Sequence, residues 1–276
     1  MFLNKNFCDI NPLCYTISTK KEVCKRHLKD LLSKEKFAKN VSKEKLSNIV
    51  SSHNSNIIKR GKGIDIKLQE NKEVNIKLAS SKINGIVIEP GEVFSFWKLV
   101  GEATPKKGYK DGRVIVKNKL EPGTGGGLCN LGNTINLLVL HSPLDIIEEH
   151  KHSDALAPDS RNRVPLSSGT SVSYNYIDYR FKNNTEQKVQ VLVWCEDGKL
   201  FGELRSEKEF PCKYEIIEEG HHFQKEGDKY YRVSKIYRNV INKSTGEILD
   251  KELIWDNHSE VMFDYDLIPK EQIENI

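Results

Sequence analysis

The spacing of apolar side chains divides the chain into three stretches of different character. Between Lys21 and Phe37, Val23, His27, Leu28, Leu31 and Leu32 recur at helical intervals, and Leu46, Ile49 and Val50 predict another short helix. Ile64, Ile66 and Leu68 alternate, as do Val74, Ile76 and Leu78, so extended segments also enter this stretch. From Ile83 to about Arg205 short strands and one helix are expected. Ile86 to Ile88 runs into the turn chemistry of Pro90-Gly91, and Val114 to Val116 is a brief β segment. Leu131, Ile135, Leu138 and Val139 fall on one helical face, and Ser142 before Pro143 ends that helix. Asp145 to His152, Ser171 to Phe181 and Val189 to Cys195 read as extended. Beyond Tyr214 the pattern is strand and hairpin, with a turn over Asn242 to Gly246. The expected fold class is α+β. A mainly helical region covers 1–80, a mixed core domain 81–210, and a β-rich extension 211–276.

The densest unusual segment is Glu121-Pro-Gly-Thr-Gly-Gly-Gly-Leu-Cys129, followed at once by the predicted helix. Glycines permit backbone angles that other residues resist, and a helix start leaves N–H groups without intrahelical acceptors. Three uses compete. Phosphate could sit on such a terminus, but neither a P-loop Lys-Ser/Thr nor a GxGxxG spacing is present. The Cys129 thiol could be a nucleophile, with its pKa lowered by the helix terminus and the amides of Gly125, Gly126 and Gly127 forming an oxyanion hole. Asn133 and Asn136 then extend a polar face from Cys129, with Asn130 beside it, able to hold a peptide-like substrate. The third use is structural: a tight connection around a small buried thiol.

A cysteine nucleophile needs a base. In Glu148-Glu-His150-Lys-His152-Ser-Asp154 an extended backbone would put His150 and His152 on one face. The same His-x-His with Cys129 could ligate zinc, but no fourth ligand follows by spacing, so base is preferred to metal and no cofactor is expected. Tyr174, Tyr176 and Asp178 would share one face of a strand, where Asp178 could orient a histidine or the tyrosines could form a cross-strand ladder.

Composition changes this picture little. The chain has 276 residues, 37% hydrophobic and 30% charged, with a net charge of +4 from 43 basic and 39 acidic side chains. Basic residues are dispersed, so nucleic acid is not an expected partner. The densest basic stretch, Lys20 to Lys45, reads as a solvated face or a weakly membrane-attracted surface. No apolar run approaches the roughly 20 residues of a transmembrane helix, and Met1 to Ile10 has no signal-peptide core, so a cytoplasmic location is expected. Six cysteines without zinc spacing are expected to be free thiols, with Cys195 a small apolar residue.

Six motifs occur in order: Pro90-Gly-Glu-Val-Phe-Ser-Phe-Trp97, Lys107-Gly-Tyr-Lys-Asp-Gly112, Gly125-Gly-Gly-Leu-Cys129, His141-Ser-Pro-Leu144, Glu149-His-Lys-His152-Ser153 and Tyr176-Ile-Asp-Tyr-Arg-Phe-Lys-Asn183. Together they resemble the VanW family, over about residues 70 to 205. That family is named for an accessory protein encoded with some vancomycin-resistance clusters. The resemblance implies a link to glycopeptide resistance and peptidoglycan metabolism. Some secreted proteins with this domain are regarded as L,D-transpeptidases using the cysteine of the glycine motif. On this chain that nucleophile would be Cys129, with His152 or His150 as its base. The chain departs from the pattern at Asn130, commonly Gln, and at Pro165-Leu-Ser-Ser-Gly169, commonly Pro-Phe-Gly. The resemblance thus implies either cysteine-dependent acyl transfer on a cell-wall peptide or a non-catalytic module. Such a module would bind a peptidoglycan precursor or a resistance protein.

Overall fold

The computed structural model describes residues 7–58, 65–116, 119–152, 154–155, 158 and 169–274. The class is α+β with a strand-rich C-terminal region, in line with the periodicities. Helix α1, Pro12–Leu32, starts on Asn11, whose side chain accepts from the Cys14 N–H, with Pro12 pre-set in the first turn. It begins well before Lys21 and stops at Ser33. Residues 36–38 are extended instead, because Ala38 N–H donates to the Val93 carbonyl and Val93 N–H to that of Lys36.

Strands β1 (Asn40–Val41) and β2 (Asn48–Asn56) follow. The helix expected around Ile49 and Val50 is therefore a strand, because residues 199–206 supply a ladder that local periodicity cannot reveal. The next segment errs in the opposite sense. Val74, Ile76 and Leu78 lie in helix α2, Ile66–Ile83, not in an extended segment. The polar Gln69, Lys72 and Asn75 are buried there beside Ile76, Ala79 and Ile83, so polarity misreports which positions face inward. Ile64 lies outside the described residues.

Strands β3 (Ile86–Ile88) and β4 (Val93–Ser95) flank the Pro90-Gly91 turn, and the short helix α3 spans Phe96–Val100. A hairpin of β5 (Asp111–Val116) and β6 (Lys119–Thr124) delivers the glycine run to helix α4, Leu128–Leu140. Strand β7, Asp145–Glu148, stops short of the two histidines, and β8 is Asp154–Ala155. The segment from Ser171 to Phe181 is not one strand. Tyr174 to Tyr176 form a turn with Asn175 at φ 53°, which dissolves the expected Tyr/Tyr/Asp face, and only Arg180–Lys182 is strand β9. Strands β10 (Val189–Glu196), β11 (Lys199–Ser206), β12 (Cys212–Glu226), β13 (Lys229–Asn242), β14 (Ile248–Val261) and β15 (Ile273–Glu274) complete the chain.

The central antiparallel sheet runs β1-β3-β10-β11-β2. Helix α2 packs on β10, and α4 packs on β11 and β2. Their apolar sides meet in one cluster that includes Ile76, Ile83, Leu131, Ile135, Leu138, Val191 and Leu204. Each such side chain contributes about 1.5–3 kcal/mol by leaving water. Strand pairing crosses position 80, since β2 and β11 share an edge. A second sheet, β15-β12-β13-β14-β8, is built on long hairpins with a small core at Phe223, Val261 and Ile268. A third, β4-β9-β7, runs directly from β4 into α3 and is joined to α1 by the Arg26–Glu148 and Asp30–Arg180 pairs.

The start of α4 is fixed by contact between two backbones. A Cβ on Gly126 would lie 2.2 Å from the Gly112 carbonyl carbon, so only glycine fits between the hairpin and the helix. Gly126→Ala is expected to lower stability by about 3 kcal/mol or more, because backbone on both sides has to move. Gly91→Ala has no neighbour within 4 Å of its Cβ and pays only for a positive φ, costing about 1 kcal/mol. Denaturant unfolding of the two variants checks the difference.

Candidate functional site

Gly127 caps α4 at φ 98°, a left-handed conformation open to glycine, and the Lys72 side chain packs where its Cβ would stand. The glycine run is held by Asn75 of α2. Its Nδ2 donates to the carbonyls of Gly126 and Lys110, both at 2.9 Å, and its Oδ1 accepts from Lys110 N–H at 2.8 Å. The N–H groups of Gly125 and Gly126 donate to the Lys110 and Gly123 carbonyls. Those two amides are thus engaged within the turn.

Cys129 stands in the first turn of α4, half-buried, with its thiol donating to the Val172 carbonyl at 3.7 Å. Burial pushes its pKa up, against smaller opposing effects of the Val172 and Cys129 backbone and of Lys72. The helix terminus therefore does not hold a ready-made thiolate, contrary to the expected lowering. All six cysteines are free, and Cys195 is half-buried against the core.

The amides that follow along α4 make internal hydrogen bonds. Asn133 Oδ1 accepts from Thr170 N–H at 3.2 Å. Asn136 Nδ2 donates to Glu149 Oε1 at 2.8 Å and Thr170 Oγ1 at 3.1 Å, and its Oδ1 accepts from the buried Tyr179 hydroxyl at 3.1 Å. Both asparagines are buried, so they fasten α4 to the histidine segment instead of lining a cavity. Asn130 is half-buried and accepts from Ser55 Oγ at 3.2 Å.

The histidine segment lies against residues 169–171. His152 N–H donates to the Gly169 carbonyl and Ser171 N–H to that of His150, both at 2.7 Å, around a Lys151–Thr170 bridge. One residue further on, Val172 accepts the Cys129 thiol. The structure therefore brings Cys129 and the two histidines to one four-residue stretch, 169–172. His152 is half-buried, and burial lowers its pKa below the ordinary 6.5, with Asp154 opposing. His150 Nε2 meets Glu148 Oε1 at 3.1 Å. Among the described residues no group of three or more His, Cys, Asp or Glu side chains is placed to hold a metal ion. Pro165 to Ser168 lie outside the described residues.

Asp178 does not orient a histidine. It accepts from Ser95 Oγ at 2.6 Å, Trp97 N–H at 3.1 Å, Tyr179 N–H at 2.9 Å and Arg180 Nε at 2.6 Å. Arg180 continues to Asp30 of α1 with two bonds of 2.7 and 2.9 Å, and Lys98 reaches the same carboxylate at 3.0 Å. In parallel, Arg26 of α1 holds Glu148 through both oxygens, at 2.5 and 2.6 Å. Arg26, Asp30, Glu148 and Arg180 were not selected from sequence. The Arg26–Glu148 and Asp30–Arg180 pairs each join residues more than a hundred positions apart, and no local motif reports such a pairing. An open groove of about 570 Å³ runs behind this segment between β7 and β14, with Glu148, Glu149, Arg238 and Ile254 in its walls.

Fold and site define a class: an α+β domain in which a glycine turn leads into a helix whose first-turn cysteine and a His-x-His segment both attach to residues 169–172. Residues 71–205 match the family model described as VanW like protein. The chain is 30% identical over 227 residues to the vancomycin B-type resistance protein VanW of Enterococcus faecalis, covering 82% of each chain. It is 33% identical over 132 residues to the uncharacterized protein YoaR of Bacillus subtilis, covering 48% of this chain and 42% of that one. The chain belongs to the VanW family. No solved structure matches it significantly.

Two outcomes follow from these electrostatics. At neutral pH, iodoacetamide is expected to label Cys129 more slowly than the exposed Cys24, with a rate that climbs with pH beyond the ordinary thiol range; a plateau already below pH 7 would contradict the buried neutral thiol. The second concerns acid. Burial alone would raise Asp30 and Glu148, but Arg180 and Lys98, and Arg26 and His150, outweigh it and hold both carboxyls below their ordinary 3.8 and 4.5. Their stabilisation is therefore complete above about pH 4.5 and is lost as pH falls through the lowered folded values. Hydrogen exchange of α1 amides should accelerate in that window, and Arg26→Met should flatten the response.

Proposed function

We propose that this protein acts in glycopeptide resistance and peptidoglycan metabolism as a cysteine-dependent acyl-transfer enzyme, with a cell-wall peptide or its precursor as substrate. The observation that supports this best is the attachment of Cys129 and the His150–His152 segment to the same stretch, 169–172. The neutral thiol needs a base, and burial keeps His152 unprotonated at neutral pH, the form that accepts a proton.

In this reading Cys129 Sγ attacks a peptide carbonyl carbon while the thiol proton passes to His152. The negative charge on the carbonyl oxygen meets N–H groups of the first turn of α4, since those of Gly125 and Gly126 are engaged. The C–N bond then breaks, the leaving amine takes the proton from His152, and a thioester remains on Cys129. An acceptor amine or water resolves it and restores the thiol. Glu148 and Arg26 position His150 at the edge of the site, and Asn130 is the amide nearest the thiol along the chain with partial exposure.

A second reading is a non-catalytic module that binds the same peptide. It is favoured by the raised thiol pKa and by the engagement of Asn133, Asn136, Gly125 and Gly126 in internal hydrogen bonds.

Intact-protein mass spectrometry after incubation with muropeptides separates the two. An acyl adduct on Cys129 is expected, absent in Cys129→Ala and formed roughly 10²-fold more slowly in His152→Gln. Muropeptide binding retained in Cys129→Ala, with no adduct on the natural chain, would establish the binding module instead.

A further inference from the structure

Helix α1 inverts the usual arrangement of a surface helix. It has no buried residue, and its polar side faces the protein, where Arg26 grips Glu148 and Asp30 grips Arg180. Its apolar side faces out. Leu13, Ile17, Cys24, Leu28 and Leu31 recur at i, i+4, i+11, i+15 and i+18, within an arc of about 60°. Leu13 is 68% exposed and Leu31 80%, and Phe7 and Ile10 just before the helix are exposed as well. A solvated helix has no reason to carry this stripe, whose exposure costs free energy.

The charges beside the stripe indicate what covers it. Lys20 and Lys21 flank its middle on opposite sides, and Lys25 and Lys29 continue one rim; all four are exposed. Of the two acidic residues of the helix, Glu22 pairs with Lys25 of that rim, and Asp30 turns away from it toward Arg180, so lysines outnumber carboxylates beside the stripe. We propose that α1 lies flat on an anionic membrane surface, with its leucine stripe among the acyl chains and its lysines at lipid phosphates. Lysine stems cover apolar surface while their ammonium groups reach the headgroups, so a lysine rim strengthens this contact. A second copy of the chain fits less well. Pairing two such helices would set lysine rims against each other and place Lys20 and Lys21 in the middle of the seam. The helix is not apolar enough to cross the bilayer, and none of the described helices is. Because Arg26 joins α1 to Glu148 and thence to His150, docking would hold the histidine edge of the candidate site next to the membrane.

Co-sedimentation of the full chain with phosphatidylglycerol-containing and with pure phosphatidylcholine vesicles tests this. Binding is expected to be about tenfold or more stronger to the anionic vesicles and to weaken with salt. The combined Leu13→Ser, Ile17→Ser, Leu28→Ser and Leu31→Ser variant, and separately Lys20→Glu with Lys21→Glu, should each lose about tenfold or more. These positions are exposed, so circular dichroism should show the fold retained. Equal partition to both vesicle types, or undiminished binding in both variants, would overturn the proposal. So would size-exclusion behaviour in which the serine variant abolishes a dimer while the natural chain ignores vesicles, which would assign the stripe to a second copy.

Discussion

The guanidinium of Arg180 is the tie on which the arrangement around the site depends. It is buried between two carboxylates, Asp178 on its own segment and Asp30 on α1, and the Phe37 ring lies 5.1 Å from it. Removing one partner of such a cluster leaves an uncompensated buried charge, a loss of about 3–5 kcal/mol. Asp178 in turn receives the Ser95 hydroxyl and the Trp97 N–H, so one ionic cluster sets the positions of α1, α3 and β9 together. Helix α1 has no buried apolar residue, and Arg26 and Asp30 tie it to the body through polar bonds. That leaves its apolar side available for another surface.

Around Cys129 the same logic works through neutral amides. Asn75 clamps the glycine turn from α2, while Asn133 and Asn136 clamp the Thr170 and Glu149 backbone neighbourhood to α4. Buried amides satisfied on all sides are rigid and positionally specific. They hold the thiol and the histidine segment on a common stretch without using an ionic bond near the sulfur. The consequence is a thiol whose partly desolvated setting raises its pKa and disfavours the thiolate.

Several elements were legible from local pattern alone. The helix over Leu131 to Val139 and the strand at Val189 to Cys195 have apolar runs that match their burial, the C-terminal strands and hairpins were legible as elements, and Gly125 to Gly127 announce a turn that only glycine can make. The failures share a cause. At Ile49 a strand forms because a partner strand lies far along the chain, and in α2 Lys72 and Asn75 are buried polar residues that invert the binary code. At Tyr174 to Tyr176 a left-handed Asn175 replaces an expected strand by a turn.

The sequence by itself determined the family, the α+β class, the glycine turn before Cys129 and the presence of two histidines at a spacing of two. These follow from short-range constraints: side-chain period, glycine angles and motif order. The tertiary structure alone decided that Asn133 and Asn136 face inward, that burial pushes the Cys129 thiol's pKa up, and that Glu148 and not Asp178 meets a histidine. It also decided that α1 turns its leucines outward. Each of these depends on hydrogen bonds and ion pairs between residues far apart in the chain, and on burial, neither of which local periodicity encodes.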